Sequence, residues 1–359
     1  MTTYLLAGGG TAGHVNPLLA VADRLREQEP DSTILVLGTR EGLESRLVPA
    51  RGYELLTIER LPFPRRPNRA ALTFPRRLRT AVDDVRAMIR DRRVDVVVGF
   101  GGYASAPAYL AAHREHTPFA IHEANARPGI ANRLGARYTT HVGVAFRSTR
   151  IRGGQWVGMP LRREIEQLDR FEARREGIRL FNLKPDRPTL LVTGGSSGAK
   201  RINETVSSAV AAILGAGWQV IHVTGEYREA VDDPRLPGYV VLKYVDRMDL
   251  ALAVADLSLG RAGTSTVAEV TALGIPAVFV PYASGNGEQK LNAREAVEAG
   301  GAIVVADADF TPRWVASELV PLLRSRATIA DMAVRIATVG ALDGTDRMVA
   351  LLQRALAAG

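Results

Sequence analysis

No cysteine occurs among the 359 residues. Disulfides, thiolate metal sites and thiol nucleophiles are therefore excluded, and the composition suits a reducing cytosol. No apolar run reaches the roughly 18 residues that a membrane-spanning helix requires. The chain passes from Met1-Thr2-Thr3 straight into an apolar run, so no signal peptide is expected. No spacing of His, Asp or Glu points to a closed metal site, and neither a metal nor a cofactor is expected. Asp307-Ala308-Asp309 matches the D-x-D of metal-dependent sugar transferases only superficially. It stands just before Phe310-Thr311-Pro312 and reads as capping for the next helix. There is no repeat of solenoid period and no low-complexity tail.

What is present is ordinary for a folded soluble protein: 46% apolar and 23% charged residues. The length suits two domains. Short apolar runs alternate with helical patterns. Tyr4–Ala7, Thr33–Leu37, Leu55–Ile58, Val94–Val98, Pro118–His122 and His141–Ala145 read as buried strands of a first half. Thr189–Thr193, Val220–Val223, Val240–Leu242, Leu257–Leu259, Ala277–Val280 and Ala302–Val305 read as those of a second. Strands of this kind joined by helices form parallel, doubly wound sheets. The expected class is α/β, with domains 1–159 and 160–342 facing a cleft and a final helix, 343–359, packing back on the first.

Each half carries a glycine-rich turn after a strand and before a helix. The first is Gly8-Gly9-Gly10-Thr11-Ala12-Gly13-His14; the second is Gly194-Gly195-Ser196-Ser197-Gly198. Backbone N–H groups and the helix dipole at such a turn attract anions. Gly8, Gly10 and Gly13 satisfy G-x-G-x-x-G, so a dinucleotide is one reading. Arg40, at the end of the second strand, would then suit a 2′-phosphate. That reading explains neither the second turn nor His14. A histidine at a helix N-terminus is favoured as the neutral ring, so His14 reads as a general base. The alternative is a ring that only hydrogen-bonds the turn.

The densest polar cluster is Gly260-Arg261-Ala262-Gly263-Thr264-Ser265-Thr266-Val267-Ala268-Glu269. Arg261 reads as a phosphate partner. Thr264 to Thr266 place hydroxyls and N–H groups at a helix start, and Glu269 suits the hydroxyls of a ribose. A polar loop, Gly285-Asn286-Gly287-Glu288-Gln289, follows a strand where ligands of doubly wound sheets bind.

Charge is uneven. Between Arg60 and Arg93, 11 arginines face three aspartates, a surplus equal to the net charge of +8 of the whole chain. Leu72, Phe74, Leu78 and Val82 interleave with them. Such a segment suits an anionic membrane face, and Arg65, Arg66, Phe74, Arg76 and Arg77 are its expected contacts. A solvated Arg-rich helix face is the other reading. Nucleic acid is not expected as a partner, since no reader motif accompanies the charge.

These segments, in this order, resemble glycosyltransferase family 28 of the GT-B type over essentially the full length. The carrying stretches are GGGTAGHVNP at 8–17, GFGGYASAP at 99–107, HEANARPGIANR at 122–133, VTGGSSGAKRINETV at 192–206, GRAGTSTVAEV at 260–270 and GNGEQKLNA at 285–293. The resemblance implies transfer of GlcNAc from UDP-GlcNAc to the C4 hydroxyl of MurNAc in undecaprenyl-diphospho-MurNAc-pentapeptide (lipid I). Inversion at the sugar would give lipid II for peptidoglycan. It implies a peripheral enzyme on the cytoplasmic face of the cell membrane, with other cell-wall and division proteins as further partners. By motif, Thr11, Ala12, Gly13, Asn125 and Arg162 would lie on the donor-sugar side and Ser196 would hold a phosphate. Val245 would hold uracil through its backbone. Thr264, Ser265, Thr266, Val267, Ala268 and Glu269 would hold phosphate and ribose, and Glu288 and Gln289 the GlcNAc hydroxyls.

The family's pattern is not followed everywhere. Ala12 replaces a glycine, which is tolerable only where φ is negative. Met159 replaces an Asn, Ser197 a Gln, and Glu288 a residue that is Gln in some relatives. Three other readings remain at this stage: a sugar-nucleotide epimerase of the same architecture, an NADP-dependent oxidoreductase, and a non-catalytic membrane scaffold.

Overall fold

The computed structural model describes residues 1–64, 69–195, 199–225, 236–282 and 287–358. The chain forms two units, Met1–Arg162 with Asp343–Gly359, and Arg163–Leu342. The first division falls slightly later than 159 because Met159 and Leu161 are buried. The carbonyl of Leu161 also accepts from Thr345 Oγ1 at 3.4 Å, inside the first unit.

The first unit holds β1 (Thr3–Ala7), β2 (Thr33–Thr39), β3 (Glu54–Ile58), β4 (Val96–Gly99), β5 (Phe119–Glu123), β6 (Val142–Val144) and β7 (Gly154–Trp156). They pair in the order β3-β2-β1-β4-β5-β6-β7, and every pairing is parallel. β1 shows why these residues make a two-faced sheet. Tyr4 and Leu6 enter one core layer with Leu18, Val21 and Leu25 of the helix Ala12–Gln28. Leu5 and Ala7 enter the other with Val82, Val85 and Ile89 of the helix Arg69–Asp91. Alternation of side chains along a strand produces this split, and burial on both faces demands the continuous apolar run.

The C-terminal helix Gly344–Ala357 completes the first layer through Met348, Leu351, Leu352 and Ala355. A methyl group at Gly344 would overlap the backbone of Met159, so the helix start approaches the sheet only as glycine. Each fully buried Leu contributes about 1.5–3 kcal/mol relative to exposure.

The second unit holds β8 (Thr189–Thr193), β9 (Gln219–Val223), β10 (Tyr239–Leu242), β11 (Leu257–Gly260), β12 (Ala277–Phe279) and β13 (Ala302–Val304). Their order is β10-β9-β8-β11-β12-β13, again all parallel. In each sheet the strand order reverses once, between β1 and β4 and between β8 and β11. Loops at the carboxyl ends of strands beside such a reversal are where doubly wound folds bind ligands. The first glycine turn lies there, as do Gly194 and Gly195.

Candidate active-site elements

In the first unit, the turn after β1 leaves the sheet with Gly8 N donating to Leu37 O at 3.0 Å. Gly10 then takes φ +89°, a left-handed conformation that favours glycine. Thr11 is extended and precedes the helix Ala12–Gln28. Ala12 is not among the non-glycine residues with positive φ, so its methyl fits. His14 Nδ1 lies 3.2 Å from Gly9 O and 3.3 Å from Thr11 Oγ1. A carbonyl oxygen only accepts, so Nδ1 carries the proton and Nε2 keeps its lone pair. That lone pair is the one a general base needs.

The first turn does not offer the open phosphate cradle that its glycines suggest. Glu44, fully buried at the start of the helix Glu44–Ala50, places its carboxylate beneath it. Glu44 Oε2 accepts from Gly10 N at 2.8 Å, and Oε1 accepts from Thr39 N at 2.9 Å and Thr39 Oγ1 at 2.8 Å. A methyl group at Gly9, Gly38 or Gly42 would overlap this side chain. The glycines make room for a carboxylate of the protein itself. A pyrophosphate at Gly10 would meet a buried negative charge, which argues against the dinucleotide reading.

A second buried carboxylate organises the loop after β5. Glu123 accepts from Asn125 N and Gly129 N, each at 2.8 Å, and from Asn132 Nδ2 at 2.9 Å. Thr149 Oγ1 donates to Asn125 O at 3.1 Å, so the backbone of Asn125 is fixed from both sides. Arg162 is half-buried at the last residue of this segment. His122, fully buried, donates from Nε2 to Gly158 O at 3.0 Å. Burial pushes its pKa down to about 4, so it is a neutral structural ring.

In the second unit, Gly195 takes φ +80° and its N–H donates to Thr193 Oγ1 at 3.2 Å. Ser196 lies outside the described residues. After β11 the helix Thr264–Ala272 begins behind Gly263, with no side-chain cap and no acidic residue in its first turn. The N–H groups of a helix's first turn have no intrahelical acceptor, and an anion satisfies them. Thr264, Ser265 and Thr266 stand there. Glu269 follows Ser265 by four residues and Thr266 by three, which puts all three on one helix face. Val267 differs from the expectation. Its side chain is buried and its N–H donates to Gly263 O at 2.9 Å, so it anchors the helix. Ala268 is half-buried beside it. Val245 turns a buried side chain inward from the loop after β10, between exposed Tyr244 and Asp246.

Arg261 is engaged within the protein. Its Nη1 donates to Asp307 Oδ1 at 2.5 Å, Val280 O at 2.8 Å and Pro281 O at 3.2 Å. Asp307 additionally pairs with Arg201 at 3.2 Å. Asp307 is therefore an ion-pair partner, and the cap of the next helix is Thr311, whose Oγ1 accepts from Trp314 N with Pro312 behind it. Arg261 braces the ends of β11 and β12, and its charge is largely matched within the protein. Glu288 opens the helix Glu288–Asn292 behind Gly287. Gln289 Oε1 accepts from Tyr282 N at 2.9 Å.

The basic segment forms the helix Arg69–Asp91. Arg65 and Arg66 lie outside the described residues. Phe74 packs on Phe63 with ring centroids 5.2 Å apart. Arg77 is tied to Glu59 at 2.6 Å, and Arg86 to Glu115 at 2.6 Å. Leu72, 82% exposed, and Arg76 one turn later remain at the surface. No helix among the described residues is long and apolar enough to cross a membrane.

Comparison with known proteins follows the same division. Residues 4–144 match the glycosyltransferase family 28 N-terminal domain, and residues 189–348 match the C-terminal domain. A protein of Leifsonia xyli subsp. xyli is 60% identical over 358 residues, 100% of each chain. It is named UDP-N-acetylglucosamine--N-acetylmuramyl-(pentapeptide) pyrophosphoryl-undecaprenol N-acetylglucosamine transferase. The crystal structure of Acinetobacter baumannii MurG is similar at TM-score 0.80 and 29% identity, covering 99% of this chain and 100% of that one. A UDP-GlcNAc 2-epimerase from Neisseria meningitidis, bound to UDP-GlcNAc, covers 100% of both chains at TM-score 0.68. At 13% identity that likeness concerns the fold alone.

Proposed function

The chain belongs to glycosyltransferase family 28, and on that premise we propose that it transfers GlcNAc from UDP-GlcNAc to the C4 hydroxyl of MurNAc in lipid I, forming lipid II. The full-length identity of 60% to a transferase of that name supports the substrates. One asymmetry supports the assignment of roles. The Glu44 carboxylate occupies the N–H of Gly10 in the turn beside His14, whereas the helix from Thr264 has no side-chain cap and no acidic residue in its first turn. The base then belongs to the first unit and the diphosphate to the second.

The reaction is a single displacement. His14 Nε2 takes the proton of the C4 hydroxyl as its oxygen bonds to the anomeric carbon. The bond from that carbon to the β-phosphate oxygen breaks, and its electron pair leaves with UDP. N–H groups of Thr264, Ser265 and Thr266 meet the growing phosphate charge, a form of stabilisation that needs no reorganisation at the moment of reaction. Glu269 holds the ribose, Val245 the uracil, and Glu288 and Gln289 the GlcNAc hydroxyls. Thr11, Ala12, Gly13, Asn125 and Arg162 line the sugar side. The acceptor is lipid-linked, so the enzyme works at an anionic membrane surface on the cytoplasmic side, contacted through Leu72 and Arg76.

The test is UDP release from UDP-GlcNAc with and without a lipid I analogue. Release only with the acceptor is expected. Conversion of UDP-GlcNAc with no acceptor present would instead favour the epimerase reading. Within the transferase, His14→Ala is expected to lower kcat about 100-fold or more, the scale of one general base.

A further inference from the structure

We infer that Glu44 is a positioning residue for the transfer reaction: it clamps the first glycine turn and so fixes the orientation and tautomer of His14. The inference rests on the proposed role of His14. Glu44 touches no reacting atom. It acts through Gly10, whose N–H it accepts at 2.8 Å, and through the peptide that Gly9 and Gly10 share. The carbonyl of Gly9 in that peptide is the acceptor for His14 Nδ1. The chain of contact is carboxylate, Gly10 N–H, Gly9 carbonyl, imidazole.

Several features show that the clamp is built for this place. Oε1 is itself held by two donors, the N–H and the hydroxyl of Thr39 at the end of β2. The carboxylate therefore bridges the end of β2 and the turn after β1. Gly9 in the turn after β1, Gly38 in β2 and Gly42 in the loop that follows leave room for it. On the other side of His14, a methyl group at Gly101 would come within 3.0 Å of Nε2. The ring is thus confined between the turn that Glu44 shapes and the loop after β4. Loss of the clamp frees the Gly9 carbonyl to rotate, and Nδ1 loses the acceptor that keeps its proton there. The base lone pair is then no longer restricted to Nε2. A displacement of about 1 Å in a reacting group costs on the order of 100-fold in rate.

Glu44→Gln is the direct variant, since the amide places an NH2 group against Gly10 N–H or the Thr39 donors. The expected result is a fall of about 100-fold in kcat per folded molecule. KM for UDP-GlcNAc should change far less than kcat, because the uracil, ribose and diphosphate of the donor are assigned to the second unit and Thr11 to Gly13 line only its sugar side. Long-range 1H–15N correlation of histidine-labelled protein should show His14 as the Nδ1–H tautomer in the wild type and as a mixture in the variant. His14 is identified by subtracting the His14→Gln spectrum. If Glu44→Gln does not fold, Thr39→Val removes one donor to Oε1 while keeping the β-branched shape, and is read the same way. Unchanged kcat per folded molecule with an unchanged His14 tautomer would overturn the inference. So would a loss of activity that follows the folded fraction alone. A wild-type enzyme that releases no UDP with the acceptor would instead count against the transferase reading, and the tautomer comparison would still decide the role of Glu44.

Discussion

Arg261 and Asp307 form an ion pair at 2.5 Å between the loop after β11 and the segment after β13. Both side chains are largely buried, with 11% and 18% exposure. Removing one partner of such a pair leaves an uncompensated charge away from water. Asp307→Asn should therefore lower the urea stability of the second unit by roughly 2–3 kcal/mol, somewhat less than a fully buried pair. A wild-type unfolding midpoint for Asp307→Asn would show that Arg261 is available to a ligand after all.

Two buried histidines make stability depend on pH, one in each unit. His122 donates to Gly158 O, and protonating its other nitrogen would bury an uncompensated charge. His222 sits in a chain of polar groups. Asn203 Nδ2 donates to Thr224 O, so Asn203 Oδ1 faces His222 Nε2, while Tyr239 donates its hydroxyl to Nδ1. A proton on Nδ1 would face that hydroxyl. Burial pushes both pKa values down to about 4 from 6.5. The folded value lies below the unfolded one, so stability is full above pH 6.5 and falls as pH drops toward 4. By pH 5 each ring should have cost its unit about 2 kcal/mol. Urea midpoints at pH 7.5 and 5 for wild type and His222→Gln measure this. The variant should lose less on acidification; parallel pH curves would remove His222 as the cause.

Much of this was legible in the chain. Each apolar run read as a strand overlaps one, and in the interior strands burial on both faces leaves no freedom to dilute it with polar residues. Gly154–Trp156 escaped because it is a three-residue edge strand paired only with β6 and carries no apolar run. Glu44 escaped for a different reason. It lies in the charged stretch from Arg40 to Arg46, outside every motif. The signal was indirect: Gly9, Gly38 and Gly42 lack side chains where a single carboxylate fills the space. Arg261 shows a limit of motif reading. Sequence places an arginine beside a helix start that suits an anion, and does not show that a carboxylate 46 residues further on pairs with it.

The surface proposed to meet a membrane is narrower than charge counting suggests. Arg77 is tied to Glu59 and Arg86 to Glu115, so reversing either would perturb the fold as well as the surface. Leu72 and Arg76 are exposed neighbours on one face of the helix Arg69–Asp91 and are the cleaner probes. Burying one leucine in a bilayer interface contributes about 2 kcal/mol. Reversing one charge near an anionic surface changes the attraction by about 2 kcal/mol, twice the value of a single arginine. Leu72→Ser combined with Arg76→Glu should thus weaken partitioning onto vesicles rich in anionic lipid by 100-fold or more. The loss from Arg76→Glu alone should shrink at high salt, where screening already removes the attraction, and the loss from Leu72→Ser should not. Co-sedimentation at two salt concentrations separates the contributions. Partitioning equal to wild type for the double variant would place the lipid-facing surface elsewhere in the chain.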